Sequence, residues 1–186
     1  DGHSEGKIIQ TFFNTVEKHV PQLVSWNGGG FDLPVLHYRG LMHGVVASKY
    51  WDLGENGYAS DREFKWNNYI SRYHLRHLDL MDLLALYQPK NNAPLDAMAK
   101  LCGFPGKLGM DGSKVYSAFL DGKTEQIAQY CETDVMNTWL VYCRFQKMRG
   151  GLTEAEYEQE MALAKTTLGN LAASQPHWHE YLAAWR

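Results

Sequence analysis

Two stretches far apart in the chain hold the side chains most capable of chemistry. The first is Asn27-Gly28-Gly29-Gly30-Phe31-Asp32, with Pro34 just beyond it. The second is Tyr130-Cys131-Glu132-Thr133-Asp134. Carboxylates are the hard oxygen ligands that Mg²⁺ and Mn²⁺ take. On a helix, Tyr130 and Asp134 share one face a turn apart. A phenol and a carboxylate so placed can hold a metal ion and keep a water beside it. Each stretch also has a purely structural reading. Asp is a preferred helix N-cap, and a helix commonly half-buries a Tyr while exposing a nearby Asp.

Periodicity supplies the elements that must position these groups. Residues 23–26 form a short apolar run, read as a buried strand. The three glycines after Asn27 let the backbone bend and approach a ligand closely. Pro34 suits the first turn of a helix over 33–42. Asp32 therefore stands at the carboxyl end of a strand and the amino end of a helix, where open α/β sheets bind ligands. A helix over 5–19 precedes it, with Ile8, Phe12, Phe13 and Val16 at helical spacing. Residues 44–71, with Trp51, Tyr58, Trp66 and Tyr69, have no clear period. They read as a long insertion over the sheet face or as an aromatic mini-core. His77-Leu78-Asp79 runs from a strand into a helix, with Asp79 as a cap or supporting carboxylate and His77 as a satisfied structural histidine or a phosphate contact. Asn91 to Pro94 cap a helix ending at Leu101, with Leu95, Met98 and Leu101 turned inward. Lys107, Ser113 and Lys114, beside a helix start with free backbone N–H groups, form either a phosphate site or a solvated loop. A helix over 124–148 carries Tyr130 and Asp134, with Val135, Trp139, Leu140 and Tyr142 as packing residues. Thr153 and Glu156 form a helix-start box, and Pro176 divides the helical tail.

Together the two stretches resemble motifs of the DEDD superfamily of 3′–5′ exonucleases. Asn27-x-x-x-Phe31-Asp32 is similar to its second motif, and Tyr130-x-x-x-Asp134 to its third in the tyrosine-type (DEDDy) form. The intervening stretches resemble predicted bacterial exonucleases related to the proofreading domain of family-B DNA polymerases. These are Trp26-Asn27-Gly28, Phe31-Asp32-Leu33-Pro34, His77-Leu78-Asp79-Leu80-Met81-Asp82, Gly103-Phe104-Pro105-Gly106-Lys107 and Asp111-Gly112-Ser113. The resemblance spans residues 8–151. It implies an α/β, ribonuclease H-like (DnaQ-like exonuclease) fold, a mixed sheet flanked by helices. Residues 1–151 would be the exonuclease domain and 152–186 a C-terminal helical extension.

The resemblance also implies site roles. Asp32 and Asp134 bind metal, two Mg²⁺ or Mn²⁺ ions being expected, and Tyr130 orients the attacking water. Asn27 and Phe31 contact the terminal nucleotides, with Lys107 and Ser113 as further substrate contacts. The partner is single-stranded nucleic acid, DNA favoured, and the product a nucleoside 5′-monophosphate. One departure bears on this reading. The family's first motif, Asp-x-Glu, supplies two more carboxylates, and the chain shows only Asp61-Arg62-Glu63, in a polar loop without a preceding apolar strand. The expectation is that the first strands and this motif lie upstream of Asp1. The 186 residues alone should then show little nuclease activity and poor solubility. The alternative is a non-catalytic nucleic-acid-binding or interaction module that lost the motif.

Composition is compatible with both. With 45% hydrophobic residues in 186, the chain can bury a core. A net charge of −3 argues against a protein that coats duplex through charge alone. No apolar run is long enough to span a bilayer. Cys102, Cys131 and Cys143 lack metal-ligand spacing and fit buried thiols in a reducing, cytoplasmic compartment.

Overall fold

In the computed structural model, which describes residues 4–55 and 62–186, the first helix is α1, Glu5–His19. Ile9, Phe13 and Val16 form its buried stripe. Ile8 is turned out to solvent, 61% exposed, so the stripe is rotated by one residue from the expected one. Lys18 and His19 stand in the last turn, where positive charge suits the helix dipole.

Strand β1, Leu23–Ser25, pairs in parallel with β2, His77–Asp79, with Ser25 opposite Asp79. Parallel neighbours need a crossover. Here it contains α2, Asp32–Met42, and the segment 43–76. Among the described residues the sheet has these two strands only, so it is a small parallel sheet where a mixed one was expected. β1 is half-buried, not buried, because two strands leave much of each face uncovered. Trp26 falls outside it. After β2 comes the short helix α3, Leu80–Leu84.

Residues 43–55 and 62–76 help to build the core instead of lying loosely over it. Tyr50, Phe64 and Tyr69 are buried with Ile9, Phe13 and Val16 of α1. Tyr50 stacks on Tyr69 at 5.4 Å and meets Phe13 edge-on at 5.1 Å. The Tyr69 hydroxyl donates to Pro21 O at 2.7 Å. Arg76 is buried over the Phe64 ring, and its charge is offset by Glu63 at 2.7 Å and Asn67 O at 2.6 Å. Glu63 therefore has a structural partner, while Asp61 and Tyr58 lie outside the described residues. Trp51 and Trp66 remain exposed. This is the aromatic mini-core reading; burying each ring contributes roughly 1.5–3 kcal/mol.

The chain divides into two compact units, Asp1–Asn92 and Ala93–Arg186. The second contains α4, Leu95–Leu101; α5, Val115–Leu120; α6, Thr124–Met148; α7, Glu154–Leu171; and α8, His177–Ala183. Pro94, not an Asn side chain, occupies the N-cap of α4. Leu101 points outward and Ala99 inward. α6 is the spine of this unit, burying Thr133, Asn137, Leu140, Val141 and Cys143. Val135 and Trp139, expected in its packing face, are exposed.

Thr153 and Glu156 make the expected capping box at the start of α7, and α7 packs along α6. Trp178 and Tyr181 of α8 are buried, and Trp185 meets Phe104 edge-on at 5.9 Å. Of the three free thiols only Cys143 is buried; Cys131 is exposed. No described helix is long and apolar enough to cross a membrane.

Candidate active site

Tyr130 and Asp134 lie one turn apart on α6. Lys107 lies against both. Its ammonium donates to the Tyr130 hydroxyl at 2.9 Å and lies 4.0 Å from Asp134 Oδ2. Asp134 Oδ1 is buried and has no hydrogen-bond partner. A buried acceptor without a partner costs free energy, so this oxygen is poised for a donor or a cation. Burial pushes the Asp134 carboxyl above its ordinary range, against the pull of the Tyr130 hydrogen bond and Lys107. Burial likewise raises the Tyr130 phenol, with Lys107 opposing and Asp134 reinforcing the shift. Burial would lower the Lys107 ammonium, but bonding to Tyr130 and the Asp134 charge leave it raised. All three groups therefore tune one another.

The loop before α5 puts Lys107 there. Gly106 adopts φ +71°, and a Cβ on it would come within 2.5 Å of Asp96 Oδ1, so only glycine fits. Asp96, on α4, accepts from Lys107 N at 2.7 Å. Asn137, fully buried three residues after Asp134, pins the same loop. It accepts from Gly106 N at 3.2 Å and from the Tyr181 hydroxyl at 2.8 Å, and donates to Gly106 O at 2.9 Å. Asn137→Ala would leave three buried polar groups unpartnered. The expected loss is about 3 kcal/mol of unfolding free energy, read by urea denaturation; a loss under about 1 kcal/mol would show that the loop is held by other means.

Ser113 does not join Lys107. Its N–H and hydroxyl both go to Asp111, whose second oxygen lies 3.6 Å from Lys114. The turn nevertheless borders the phenol: a Cβ on Gly112 would sit 3.9 Å from the Tyr130 hydroxyl. A groove of about 470 Å³ runs on from Tyr130, lined by Lys114, Lys123, Gln129 and His177 among others. His177 lies 2.8 Å from Glu132, without the alignment of a hydrogen bond.

In the first unit, the sequence-marked residues sit around the turn after β1. Asn27 takes the left-handed conformation, φ +66°. Gly28 is required by close approach, not by positive φ: a Cβ on it would lie 2.4 Å from Ser25 Oγ and 2.5 Å from Ser25 Cβ, while one on Gly30 would meet the Asn27 side chain at 2.4 Å. Ser25 Oγ is itself held by His77 Nε2 at 2.8 Å. Burial depresses the His77 imidazole despite the Asp79 charge nearby, in keeping with its structural reading. Phe31 is the N-cap of α2 and 64% exposed; Asp32 is the first helical residue, also exposed. No side chain caps this helix, so Asp32 is not its N-cap. A cavity of about 520 Å³ lies outside the carboxyl ends of β1 and β2, lined by Asn27, Gly29, His37, Tyr50, Arg72 and Asp79 among others.

The unpartnered Asp134 oxygen and the carboxylate donor type fit a hard divalent cation. Among the described residues, however, no three His, Cys, Asp or Glu side chains gather as a metal site. Sequence reasoning missed Asn137 and Asp96. Neither carries a motif, since an Asn inside a helix announces nothing until its loop partner is known.

A sequence profile of the family described as a predicted 3′-5′ exonuclease related to the exonuclease domain of PolB matches residues 1–185, through α7 and α8. No curated protein and no solved structure matches the chain.

Proposed function

Since this chain belongs to the family of predicted 3′-5′ exonucleases related to the exonuclease domain of PolB, we propose that it hydrolyses single-stranded nucleic acid, DNA in preference, from the 3′ end. The observation that carries this reading is the Lys107–Tyr130–Asp134 cluster with its unpartnered buried carboxylate oxygen. A ribonuclease H-like framework is proposed with it, supported by parallel strands whose crossover helix begins at Asp32.

Asp32 and Asp134 would hold Mg²⁺ or Mn²⁺. Such ions, when bound, would supply a more acidic water and a positive charge for the leaving oxygen. The chain's own residues do the positioning. Lys107 donates to the Tyr130 oxygen, which leaves the phenolic proton for Asp134 or for the water. Tyr130 would orient the attacking water toward the terminal phosphorus. The P–O3′ bond breaks as the new P–O bond forms, giving a nucleoside 5′-monophosphate and a shortened strand with a free 3′-hydroxyl. Phe31 offers an exposed ring for stacking a terminal base, a sequence-tolerant contact. Asn27 and Ser113 would be substrate contacts, as the family resemblance implies. The reaction would run in a reducing, cytoplasmic compartment, which the three free cysteines fit.

The second reading, a non-catalytic nucleic-acid-binding module, rests on the absence of a three-residue metal cluster among the described residues. One assay separates the two. The complete natural protein is incubated with 5′-labelled oligonucleotides bearing a free or a blocked 3′ end. Stepwise, Mg²⁺- or Mn²⁺-dependent shortening of the free end, stopped by EDTA, is expected. Binding without shortening would favour the second reading, and shortening of the blocked strand would exclude a 3′-end enzyme.

A further inference from the structure

We propose that Asp79 is the positioning residue of the Asn27–Phe31–Asp32 site: its carboxylate is the anion around which the glycine turn is built. This rests on the nuclease reading above for its functional part only. Successive backbone N–H groups in a tight turn make a concavity that binds anions. Here that concavity is already filled from within the chain. Asn27 N donates to Asp79 Oδ1 at 2.9 Å, and Gly29 N to Asp79 Oδ2 at 2.9 Å. Gly30 N and Phe31 N turn back to Asn27 O at 3.0 and 3.1 Å. The turn therefore has these four donors committed, and it does not offer them to a substrate phosphate. What it presents outward is the Phe31 ring and the Asp32 carboxylate.

The sheet register makes the clamp possible. Ser25 pairs with Asp79, so both strands end at the same level and the carboxylate meets the turn at its first residue. The same side chain accepts from Asp82 N at 3.4 Å and so caps α3. Asp79 thus fixes the end of β2, the start of α3 and the turn leading into α2. Gly29 sits close over the carboxylate, where a Cβ would be 3.4 Å from Asp79 Oδ2.

Two variants separate clamping from capping. Asn and Ser are both good N-caps, so Asp79→Asn and Asp79→Ser keep the bond to Asp82 N available. Neither can serve Asn27 N and Gly29 N together. The carboxamide has one acceptor oxygen, and the hydroxymethyl group is too short to bridge both donors. Amide hydrogen exchange in the complete protein is the first readout. The Gly29 amide, whose acceptor is Oδ2, is expected to exchange at least about tenfold faster in both variants, and the Asn27 amide, which shares Oδ1 with Asp82 N, in Asp79→Ser, with the Leu78 and Asp82 amides unchanged. The second readout is 3′-end hydrolysis, where kcat is expected to fall about 10–100-fold, the range for losing a group that orients a metal ligand. KM for the oligonucleotide should change less, and Asp79→Glu should recover part of kcat.

Unchanged exchange at Gly29 in both variants, or at Asn27 in Asp79→Ser, would overturn the clamp. Faster exchange with full kcat would overturn the positioning role. A wild-type protein without nuclease activity would sink the nuclease reading alone, and the exchange measurement would still decide whether Asp79 holds the turn.

Discussion

Asp134→Asn is expected to lower metal-dependent 3′-end hydrolysis in the complete protein by at least about a thousandfold, roughly 4 kcal/mol of transition-state stabilisation. A carboxamide keeps the shape but not the charge that holds a hard cation. The fold should not suffer. In the folded chain burial raises the Asp134 carboxyl above its ordinary 3.8, so folding favours the protonated form. The stabilising contribution of that form is complete below the unfolded value and is lost as pH rises through the raised folded value. At neutral pH the ionised Asp134 is therefore a net cost, only partly offset by Lys107 and Tyr130. The neutral variant should melt at the same temperature as the parent or above it at pH 7, and the difference should shrink toward pH 3. Activity lost while stability holds or rises marks a residue kept for function. Activity within about tenfold of the parent, measured on folded protein, would remove Asp134 from the site.

Asp32→Asn should cause a loss of activity of the same order for the same reason, with the opposite effect on stability. Asp32 is exposed at the first residue of α2. Its charge there interacts favourably with the helix dipole, a contribution of roughly 0.5 kcal/mol that falls with added salt. The variant should therefore be slightly less stable than the parent at low ionic strength and indistinguishable from it at high salt. Parallel activity loss with opposite stability changes distinguishes two metal ligands in different environments from a general weakening of the fold. Normal hydrolysis by a folded Asp32→Asn protein would show that the second-motif assignment is wrong.

The boundaries of α1 and α6 were legible because the evidence for them is local. The apolar positions of 5–19 repeat at helical spacing, and the 124–148 run ends at Gly150, which takes φ +79°. The Thr153–Glu156 box was readable for the same reason: both partners lie within one turn. Facing was less legible. Ile8 and Ile9 are chemically alike, and only the position of Phe13 against Tyr50 decides which turns inward. Tyr50 and Tyr69 show no period because they pack through a contact between residues far apart in the chain, not through a regular backbone.

The candidate site divides in the same way. By itself the sequence determined which side chains could do the chemistry: Asp32 at a strand-to-helix turn, and Tyr130 with Asp134 on one helical face. Their spacing is a property of neighbouring residues, and regular backbone geometry converts it directly into shared faces. Only the tertiary structure decided what each group touches. It set Lys107, read as a phosphate contact or a solvated loop lysine, against the Tyr130 hydroxyl, left Asp134 Oδ1 buried without a partner, and gave the glycine turn to Asp79 from the other strand. A hydrogen bond depends on ångström-scale distances between segments far apart in the chain, and no pattern of residue types along one segment encodes those distances.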